Sequence, residues 1–143
     1  MGATFLHPVF TSWHGDGSYK FSGRVLNPHP WTPELIAIRD SLPYTYNSVL
    51  VNLYRHGNDS VAYHADDEPE LGAEPVIASV SLGAARRFIL RHNDTHITHE
   101  FALGNGDLLI MGGTTQRDWQ HTVPKTSRPV HGMRMNLTFR TIH

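Results

Sequence analysis

The stretch Tyr63-His64-Ala65-Asp66-Asp67-Glu68 places an imidazole and a carboxylate two residues apart. In an extended strand, residues i and i+2 point to the same side, so His64 and Asp66 would project into one space. Alone, the His-x-Asp pair is a weak signal. The chain has 11 histidines, and a surface histidine beside an acidic turn explains the pair at least as well. Other parts of the sequence are needed to distinguish a functional His-x-Asp pair from a surface histidine beside an acidic turn.

Length and composition indicate one domain over residues 1–143. The formal net charge is −1, so no overall positive charge points to a nucleic-acid partner. The chain has no cysteine, which excludes disulfides and zinc-thiolate sites. The N-terminus lacks a signal-peptide pattern, and no apolar run approaches a membrane span. We expect a monomeric intracellular protein, cytoplasmic in a bacterium or nuclear in a eukaryote, with no membrane partner.

One helix and a series of short strands are predicted. Thr32 suits the N-cap and Pro33 the first helical position, and apolar residues at helical spacing extend the helix to residue 42. Strands are predicted at 49–54, 61–64, 76–82, 87–91, 98–103, 107–111 and 134–141, and residues 68–75 form a loop. Residues 1–30, with short extended pieces at 9–10 and 19–21, form either a packed cap or a binding lip. Many short strands indicate a sandwich, barrel or jelly roll with the helix packed outside.

The last predicted strand has two different faces. Its apolar face carries Met135, Leu137 and Phe139. Its polar face carries Arg134, Asn136, Thr138 and Arg140. A half-exposed strand with this face in water is one explanation, and a pocket lined by the face is the other. Because guanidinium groups bind carboxylates in bidentate fashion, the pocket would suit a small dicarboxylate.

Asn52 and Tyr54 add to the pocket interpretation. They alternate with apolar residues in the strand at 49–54, so both face the same side. Tyrosine in a strand most often serves packing. Beside an asparagine on the arginine side, however, Tyr54 could donate a hydrogen bond to a carboxylate.

His121 is the candidate partner for the His-x-Asp pair. It lies between the strand ending near Met111 and the arginine strand, and a double-stranded β-helix would bring it beside His64 and Asp66. Two histidines and a carboxylate form the facial triad of non-haem Fe(II) oxygenases, which leaves positions open for a co-substrate and O2. Four other histidines stand in turn-like or polar contexts that are typical of the surface: His92, His96, His99 and His131.

In their order, these pieces resemble the AlkB family of Fe(II)/2-oxoglutarate-dependent nucleic-acid dealkylases, especially the members that repair duplex DNA. The resemblance runs from about Val9 to the end of the chain. The matching pieces are Val9-Phe10 with Trp13-His14, Tyr19-x-Phe21-Ser22-Gly23, Pro30-Trp31-x-Pro33, Asn52-x-Tyr54, His64-x-Asp66-Asp67-Glu68, residues 77–83, His121 and Arg134-x-Asn136-x-Thr138-x-Arg140. The combination of His-x-Asp, distal histidine and Arg-x-Asn-x-Thr-x-Arg is highly specific in this order.

The resemblance implies a fold and a set of site residues. The fold is mainly β, a double-stranded β-helix (a cupin-like jelly roll) with a flanking helix, in which residues 48–143 form the catalytic core and residues 1–30 a nucleotide-recognition lip. The implied catalytic metal ligands are His64, Asp66 and His121. The implied 2-oxoglutarate contacts are Asn52, Tyr54, Arg134, Asn136, Thr138 and Arg140, with Arg134 on the distal carboxylate. The implied substrate contacts are Val9, Phe10, Tyr19, Phe21, Ser22, Asp67 and Glu68.

The implied activity is oxidative demethylation of DNA, with RNA as a second substrate class. Fe(II), 2-oxoglutarate and O2 would hydroxylate an N-alkyl group of lesions such as 1-methyladenine and 3-methylcytosine. 2-Oxoglutarate would become succinate and CO2, and the product would fall apart to the repaired base and an aldehyde. The base must leave the stack to be reached, in single- or double-stranded DNA.

Two alternatives and one departure accompany the resemblance. A related oxygenase could hydroxylate a protein or a small molecule with the same core. A non-catalytic jelly-roll binding protein would keep the fold without needing all three ligands. The departure lies between the Trp-His and Tyr-x-Phe elements, which are separated here by Gly15, Asp16, Gly17 and Ser18 alone. Family members that repair duplex DNA usually have a longer basic connection there.

Overall fold

The computed structural model describes residues 10–16, 19–21, 24–129 and 132–143, and for 19–21 and 24–26 it describes the backbone alone. The substrate contacts predicted at Val9 and Ser22 lie outside the described residues, as do the side chains of Tyr19 and Phe21. The strands are β1 (Phe10–Gly15), β2 (Tyr19–Phe21), β3 (Arg24–Leu26), β4 (Ser48–Tyr54), β5 (Val61–His64), β6 (Ile77–Gly83), β7 (Arg86–His92), β8 (Thr98–Leu103), β9 (Leu108–Met111), β10 (Trp119–Val123) and β11 (Arg134–Arg140). The α-helices are α1 (Pro33–Asp40) and α2 (Thr115–Asp118).

Two antiparallel sheets form the predicted double-stranded β-helix. One has five strands in the order β1-β4-β11-β6-β9, and the other has four in the order β5-β10-β7-β8. Strands β2 and β3 pair separately. Strand β11, from the end of the chain, lies between β4 and β6, so distant parts of the sequence alternate within one sheet. The same interleaving places β10 beside β5 in the other sheet.

The two larger sheets pack face to face through one apolar cluster. The five-stranded sheet contributes Tyr54, Ile77 and Met111, and the four-stranded sheet contributes Val61, Phe88, Leu103 and Val123. All seven side chains are buried. Burial of an aliphatic or aromatic side chain contributes about 1.5–3 kcal/mol, so this cluster is a main source of stability between the sheets. We call the space between the two larger sheets the interior of the roll.

Helix α1 covers the opposite face of the five-stranded sheet. Leu35 of the helix packs in a cluster with Val49, Leu137 and Phe139 of the sheet. Thr32 caps the helix as predicted, because its Oγ1 accepts a hydrogen bond from the backbone N–H of Leu35 at 3.2 Å. The helix ends at Asp40 and not at the predicted residue 42. The Ser41 hydroxyl donates to the carbonyl of Ile38 at 2.6 Å and closes the last turn.

Strand alternation directs the apolar face of β11 towards helix α1 and its polar face towards the four-stranded sheet. Leu137 and Phe139 face α1 and are fully buried there. The polar residues between them face the interior of the roll, and none is more than 7% exposed: Arg134, Asn136, Thr138 and Arg140. The explanation that this polar face lies in water is therefore wrong, because the four side chains are buried. That the face lines a pocket for a ligand stays a prediction.

The predicted strands are confirmed to within one or two residues, and the differences lie at polar or short segments. Strand β1 extends to Gly15, beyond the piece predicted at 9–10, because all six of its residues pair with β4. Residues 68–75, predicted as a loop, contain a 3-10 turn at Pro69–Leu71. The sequence interpretation missed β3, α2 and β10.

Among the described residues, no helix combines the length and apolar character needed to cross a membrane.

Candidate active site

The structure brings His64, Asp66 and His121 together in the interior of the roll. His64 ends β5 and is the direct antiparallel partner of His121 in β10, so both imidazoles project to the same side. Asp66 follows two residues after the end of β5. One ligand atom from each of the three side chains lies within 4.8 Å of the other two. These atoms are close enough to bind a single metal ion.

Neighbouring groups orient the two imidazole rings. Nδ1 of His64 lies 2.8 Å from the carbonyl oxygen of Ala62, so this nitrogen carries the hydrogen and donates it. Nε2 of His64 then keeps a lone pair for a metal ion. The His121 ring stacks on Phe88 with centroids 5.2 Å apart, and its Nε2 lies 3.8 Å from Oδ2 of Asp66. Nε2 of His121 therefore faces the same space.

The protonation states of His121 and Asp66 suit metal binding. Burial, together with the nearby charge of His64, lowers the pKa of His121 to about 3, so this imidazole is neutral at pH 7. Burial raises the pKa of Asp66, but Arg140, His121 and His64 together outweigh this effect and hold the pKa below the ordinary value. Metal ions bind neutral imidazole and ionised carboxylate. The donor set of two imidazoles and one carboxylate therefore fits Fe(II).

Arg134 is the central charged residue among those predicted to bind 2-oxoglutarate. Its side chain is 1% exposed, and its Nη2 donates to the Ser81 hydroxyl at 2.9 Å. Its guanidinium lies 5.1 Å from the centre of the Tyr54 ring. Nε and Nη1 of Arg134 are buried and have no hydrogen-bond partner among the described residues. Because buried donors normally have acceptors, each of these two nitrogens could donate to an oxygen of a bound ligand such as 2-oxoglutarate.

Other residues predicted for the co-substrate stand on the same face. Asn136 donates to the Ser79 hydroxyl at 2.8 Å, and the Thr138 hydroxyl donates to the carbonyl of Leu50 at 3.2 Å. Burial raises the pKa of Tyr54, although the charges of Arg134 and Arg86 oppose the rise, so its hydroxyl is protonated and can donate. Asn52 is half-buried, and its Oδ1 accepts a hydrogen bond from the Thr11 hydroxyl at 3.0 Å.

Arg140 connects the predicted metal ligands to the residues predicted for the co-substrate. Its Nη2 lies 3.3 Å from Oδ1 of Asp66 and donates to the Thr138 hydroxyl at 3.2 Å. Its Nη1 lies 4.0 Å from Oε1 of Glu68. The arginine strand and the His-x-Asp segment are thus connected by charge as well as by packing. Arg140 contacts a predicted metal ligand directly in addition to belonging to the predicted co-substrate set.

Of the residues predicted to contact the substrate, the structure describes the side chains of Phe10, Asp67 and Glu68. Asp67 is exposed, whereas Glu68 is half-buried beside Arg140. Phe10 is 59% exposed, and the guanidinium of Arg55 lies 4.5 Å above its ring. Phe10 pairs with Leu53, so by strand alternation it projects away from the interior of the roll.

Four buried polar residues near the site were not predicted as site residues, although Arg86 was noted among basic residues that mildly favour a nucleic-acid substrate. Ser79 and Ser81 hydrogen-bond to Asn136 and Arg134, and their alternation with Ala78 and Val80 was a usable signal. Gln116 accepts a hydrogen bond from the backbone N–H of Asp66 at 2.8 Å, and nothing in its sequence neighbourhood signals this. The fourth is Arg86, whose guanidinium lies over the Tyr54 ring at 5.5 Å from its centre.

Comparisons with a family model and with known proteins agree on one family. The family model described as the 2OG-Fe(II) oxygenase superfamily matches residues 4–140. The human protein named alpha-ketoglutarate-dependent dioxygenase alkB homolog 3 is 42% identical over 154 residues, covering 98% of this chain and 54% of that protein. The mouse protein named DNA oxidative demethylase ALKBH2 is 40% identical over 164 residues, covering 99% of this chain and 68% of that protein.

Structural comparison agrees with the fold. A solved structure of OsALKBH1 superposes with a TM-score of 0.65 at 22% identity, covering 93% of this chain and 78% of that one. The chain spans about half the length of the alkB homolog 3 proteins that it matches, at 54% of the human protein. The match to the family model extends over nearly all of the chain, including every element that carries the site. The chain belongs to the AlkB family of the 2OG-Fe(II) oxygenase superfamily, which implies Fe(II) as cofactor and 2-oxoglutarate as co-substrate.

Proposed function

We propose that this chain removes N-alkyl groups from DNA bases by oxidation that depends on Fe(II) and 2-oxoglutarate. The observation that carries the proposal is the common placement of the His64-Asp66-His121 cluster and the buried Arg134 guanidinium in the interior of the roll. The names of the relatives, a dioxygenase and a DNA oxidative demethylase, favour DNA as the substrate.

His64, Asp66 and His121 are the proposed iron ligands. Each offers a donor atom to the same space, His121 as a neutral imidazole, and three protein ligands leave coordination positions open. The Ala62 carbonyl holds the His64 ring by its Nδ1–H, which directs Nε2 to the metal position. Bound there, Fe(II) would supply the oxidising chemistry with O2 and the co-substrate.

Arg134 is the proposed partner of the distal carboxylate of 2-oxoglutarate. Nη1, together with the second hydrogen of Nη2, can donate to that carboxylate, while the first hydrogen of Nη2 stays on the Ser81 hydroxyl. The Tyr54 hydroxyl, held protonated by burial, is a second donor. Asn52, Asn136, Thr138 and Arg140 would complete the co-substrate site. The burial of Asn136, Thr138 and Arg140 excludes bulk water, which strengthens each polar contact.

Residues 48–143 are the proposed catalytic core, and residues 1–30 the proposed lip for the nucleotide. In this arrangement Phe21 stacks on the extruded base, and Tyr19, Ser22, Asp67 and Glu68 contact the base or its neighbours. Val9 and Phe10 fill the gap that the flipped base leaves in a duplex. Arg55, whose guanidinium lies over the Phe10 ring, supplies positive charge beside this wedge. We propose a monomer that acts in the compartment that holds DNA, the cytoplasm of a bacterium or the nucleus of a eukaryote.

The test is demethylation of defined oligonucleotides. Purified protein with Fe(II), 2-oxoglutarate and O2 is incubated with DNA containing one 1-methyladenine or one 3-methylcytosine, and mass spectrometry measures the loss of the methyl group. We expect the methylated strand to lose its methyl group only when all three additions are present. RNA of the same sequence and unmethylated DNA serve as parallel substrates.

The outcome separates the three classes of function. Succinate formation without loss of the methyl group would favour an oxygenase with a protein or small-molecule substrate. No succinate under any condition would favour a non-catalytic jelly-roll protein. Faster turnover of methylated RNA than of methylated DNA would replace DNA by RNA as the proposed substrate.

A further inference from the structure

Gln116 is a buried polar residue without a role in the site described so far. It is 4% exposed and belongs to α2, the four-residue helix that leads directly into β10. Its side-chain oxygen accepts a hydrogen bond from the backbone N–H of Asp66 at 2.8 Å. Its side-chain nitrogen donates to Sδ of Met111 at 3.7 Å. Both ends of the amide are thus satisfied, and only one orientation of the amide achieves this.

The proposed metal ligands come from two separate segments of the chain. His64 and Asp66 stand on one, and His121 stands on the other. The ladder between β5 and β10 ties His64 to His121. Asp66 lies beyond the end of β5, in residues 65–68, which belong to no helix or strand. The Gln116 hydrogen bond ties the Asp66 backbone to the element that begins the His121 segment.

Helix α2 is itself held in place, so it can serve as a support. Asn93, in the turn between β7 and β8, donates from its backbone N–H to the carbonyl of Asp118 at 2.9 Å. The Asn93 side chain also donates to the carbonyl of Arg117 at 3.1 Å. The two carbonyls at the end of α2 therefore have partners on the four-stranded sheet. These two hydrogen bonds limit movement of the α2 backbone, so Gln116 can move relative to His121 mainly by rotation of its side chain.

We propose that Gln116 is a positioning residue for the metal site, which sets the Asp66 carboxylate relative to His121 through the Asp66 backbone. The inference rests on the proposed function of His64, Asp66 and His121. Without the acceptor, the N–H of Asp66 would be buried and unsatisfied, and the segment would shift to find another partner. A carboxylate displaced in this way binds the metal more weakly, although no ligand has been removed. Loss of a group that orients a metal ligand typically lowers metal affinity 10–100-fold.

The test measures metal binding directly, by titrating the metal-free protein with Mn(II) and following free Mn(II) by electron paramagnetic resonance. Gln116→Met keeps the length of the side chain and removes the acceptor. Gln116→Glu keeps an oxygen acceptor at the same position. Gln116→Asn keeps the amide but withdraws it by one methylene. Gln120→Met is the matched control, because Gln120 lies next to His121 and projects to the opposite face of β10.

We expect Gln116→Met and Gln116→Asn to raise the Kd for Mn(II) about tenfold or more, and Gln116→Glu and Gln120→Met to raise it less than about threefold. Wild-type affinity in Gln116→Met and Gln116→Asn would overturn the proposal. Equal losses in Met, Asn and Glu variants would also overturn it, because packing and not the acceptor would be responsible. Should Gln116→Glu fail to fold by circular dichroism, the Asn variant decides alone. Failure of the wild-type protein to bind Mn(II) would instead refute the metal site itself.

Discussion

Nη2 of Arg140 lies 3.3 Å from Oδ1 of Asp66, which joins the last strand of the chain to the His-x-Asp segment. Both side chains are buried, at 3% and 6% exposure. The same strand carries Arg134 on the same face. One ion pair therefore couples the proposed metal site to the proposed co-substrate site. Changes at the two arginines should consequently have different effects on the two ligands.

Arg140→Lys is expected to weaken binding of both the metal and 2-oxoglutarate. Lysine keeps the charge, but a single ammonium group cannot reproduce the planar contacts of Arg140 with Asp66 and Thr138. We expect the Kd for Mn(II) to rise about tenfold, because a group that orients a ligating carboxylate is lost. The apparent KM for 2-oxoglutarate should rise as well. A change in KM with no change in metal affinity would show that the ion pair does not support Asp66.

Arg134→Lys should affect the co-substrate alone. The substitution loses the planar fork, and a charge-assisted hydrogen bond contributes about 1.5–3 kcal/mol, so the apparent KM for 2-oxoglutarate should rise about tenfold or more. The KM for the oligonucleotide and the Kd for Mn(II) should stay near the wild-type values. Arg87→Lys is the control, since Arg87 is exposed and paired with Glu100 on the surface. An unchanged dependence on 2-oxoglutarate would remove Arg134 from the co-substrate site.

Much of this site follows from sequence because its residues alternate along strands. The shared orientation of the polar residues of β11, and of Asn52 and Tyr54, was predicted from period-two spacing, and the structure buries all of these residues except Asn52, which is half-buried. Gln116 could not be predicted, because its partner is a backbone N–H some 50 residues away in sequence. Such contacts depend on how the segments meet and not on local pattern.

Strand β10 shows the same limit for the fold. Its residues Trp119–Val123 mix polar and apolar side chains, and pairing with β5 and β7 on its two sides makes them a strand.

Gly83 is a second position whose requirement depends on the assembled sheet. Its φ of +87° and the Met133 carbonyl oxygen, which would clash with a Cβ, require glycine at the position that pairs with Arg134. Neither requirement can be inferred from the chain before the sheet order is known.

Phe21→Ala and Phe10→Ala should affect different substrates. If Phe21 stacks on the extruded base, its loss should reduce activity on single- and double-stranded methylated DNA alike, by an amount that corresponds to about 1–3 kcal/mol of stacking. If Phe10 fills the gap in the duplex, its loss should reduce activity on duplex DNA selectively, since a single strand needs no wedge. Initial rates on both substrates measure this.

The melting temperature of each phenylalanine variant is the necessary control. Phe10 is 59% exposed, so its removal should change stability little. Equal losses of Phe10→Ala on both substrates, accompanied by a lower melting temperature, would indicate a structural cap and leave the wedge without support.

Asp59 should make the stability of the fold sensitive to acid. Its carboxylate accepts hydrogen bonds from the backbone and side chain of Arg55, which lower its pKa from 3.8 to about 2. Because the pKa is lower in the folded state, this contribution is complete above about pH 4 and is lost as the pH falls through about 2. Asp59→Asn should lower the free energy of unfolding by about 1–3 kcal/mol at pH 7 and by much less near pH 2. Urea unfolding at the two pH values measures the difference, and an equal effect at both would contradict the charge-based explanation.

The most direct test of the central claim compares wild-type protein with His121→Ala in a coupled turnover assay. Succinate and formaldehyde are both quantified with methylated DNA as the substrate. His121 should be required for turnover, while the fold should persist by circular dichroism, because the strand pairing on both sides of β10 does not depend on the imidazole. The account predicts about one succinate for each formaldehyde in the wild-type protein and neither product in the variant. Wild-type rates in a folded His121→Ala protein would contradict it.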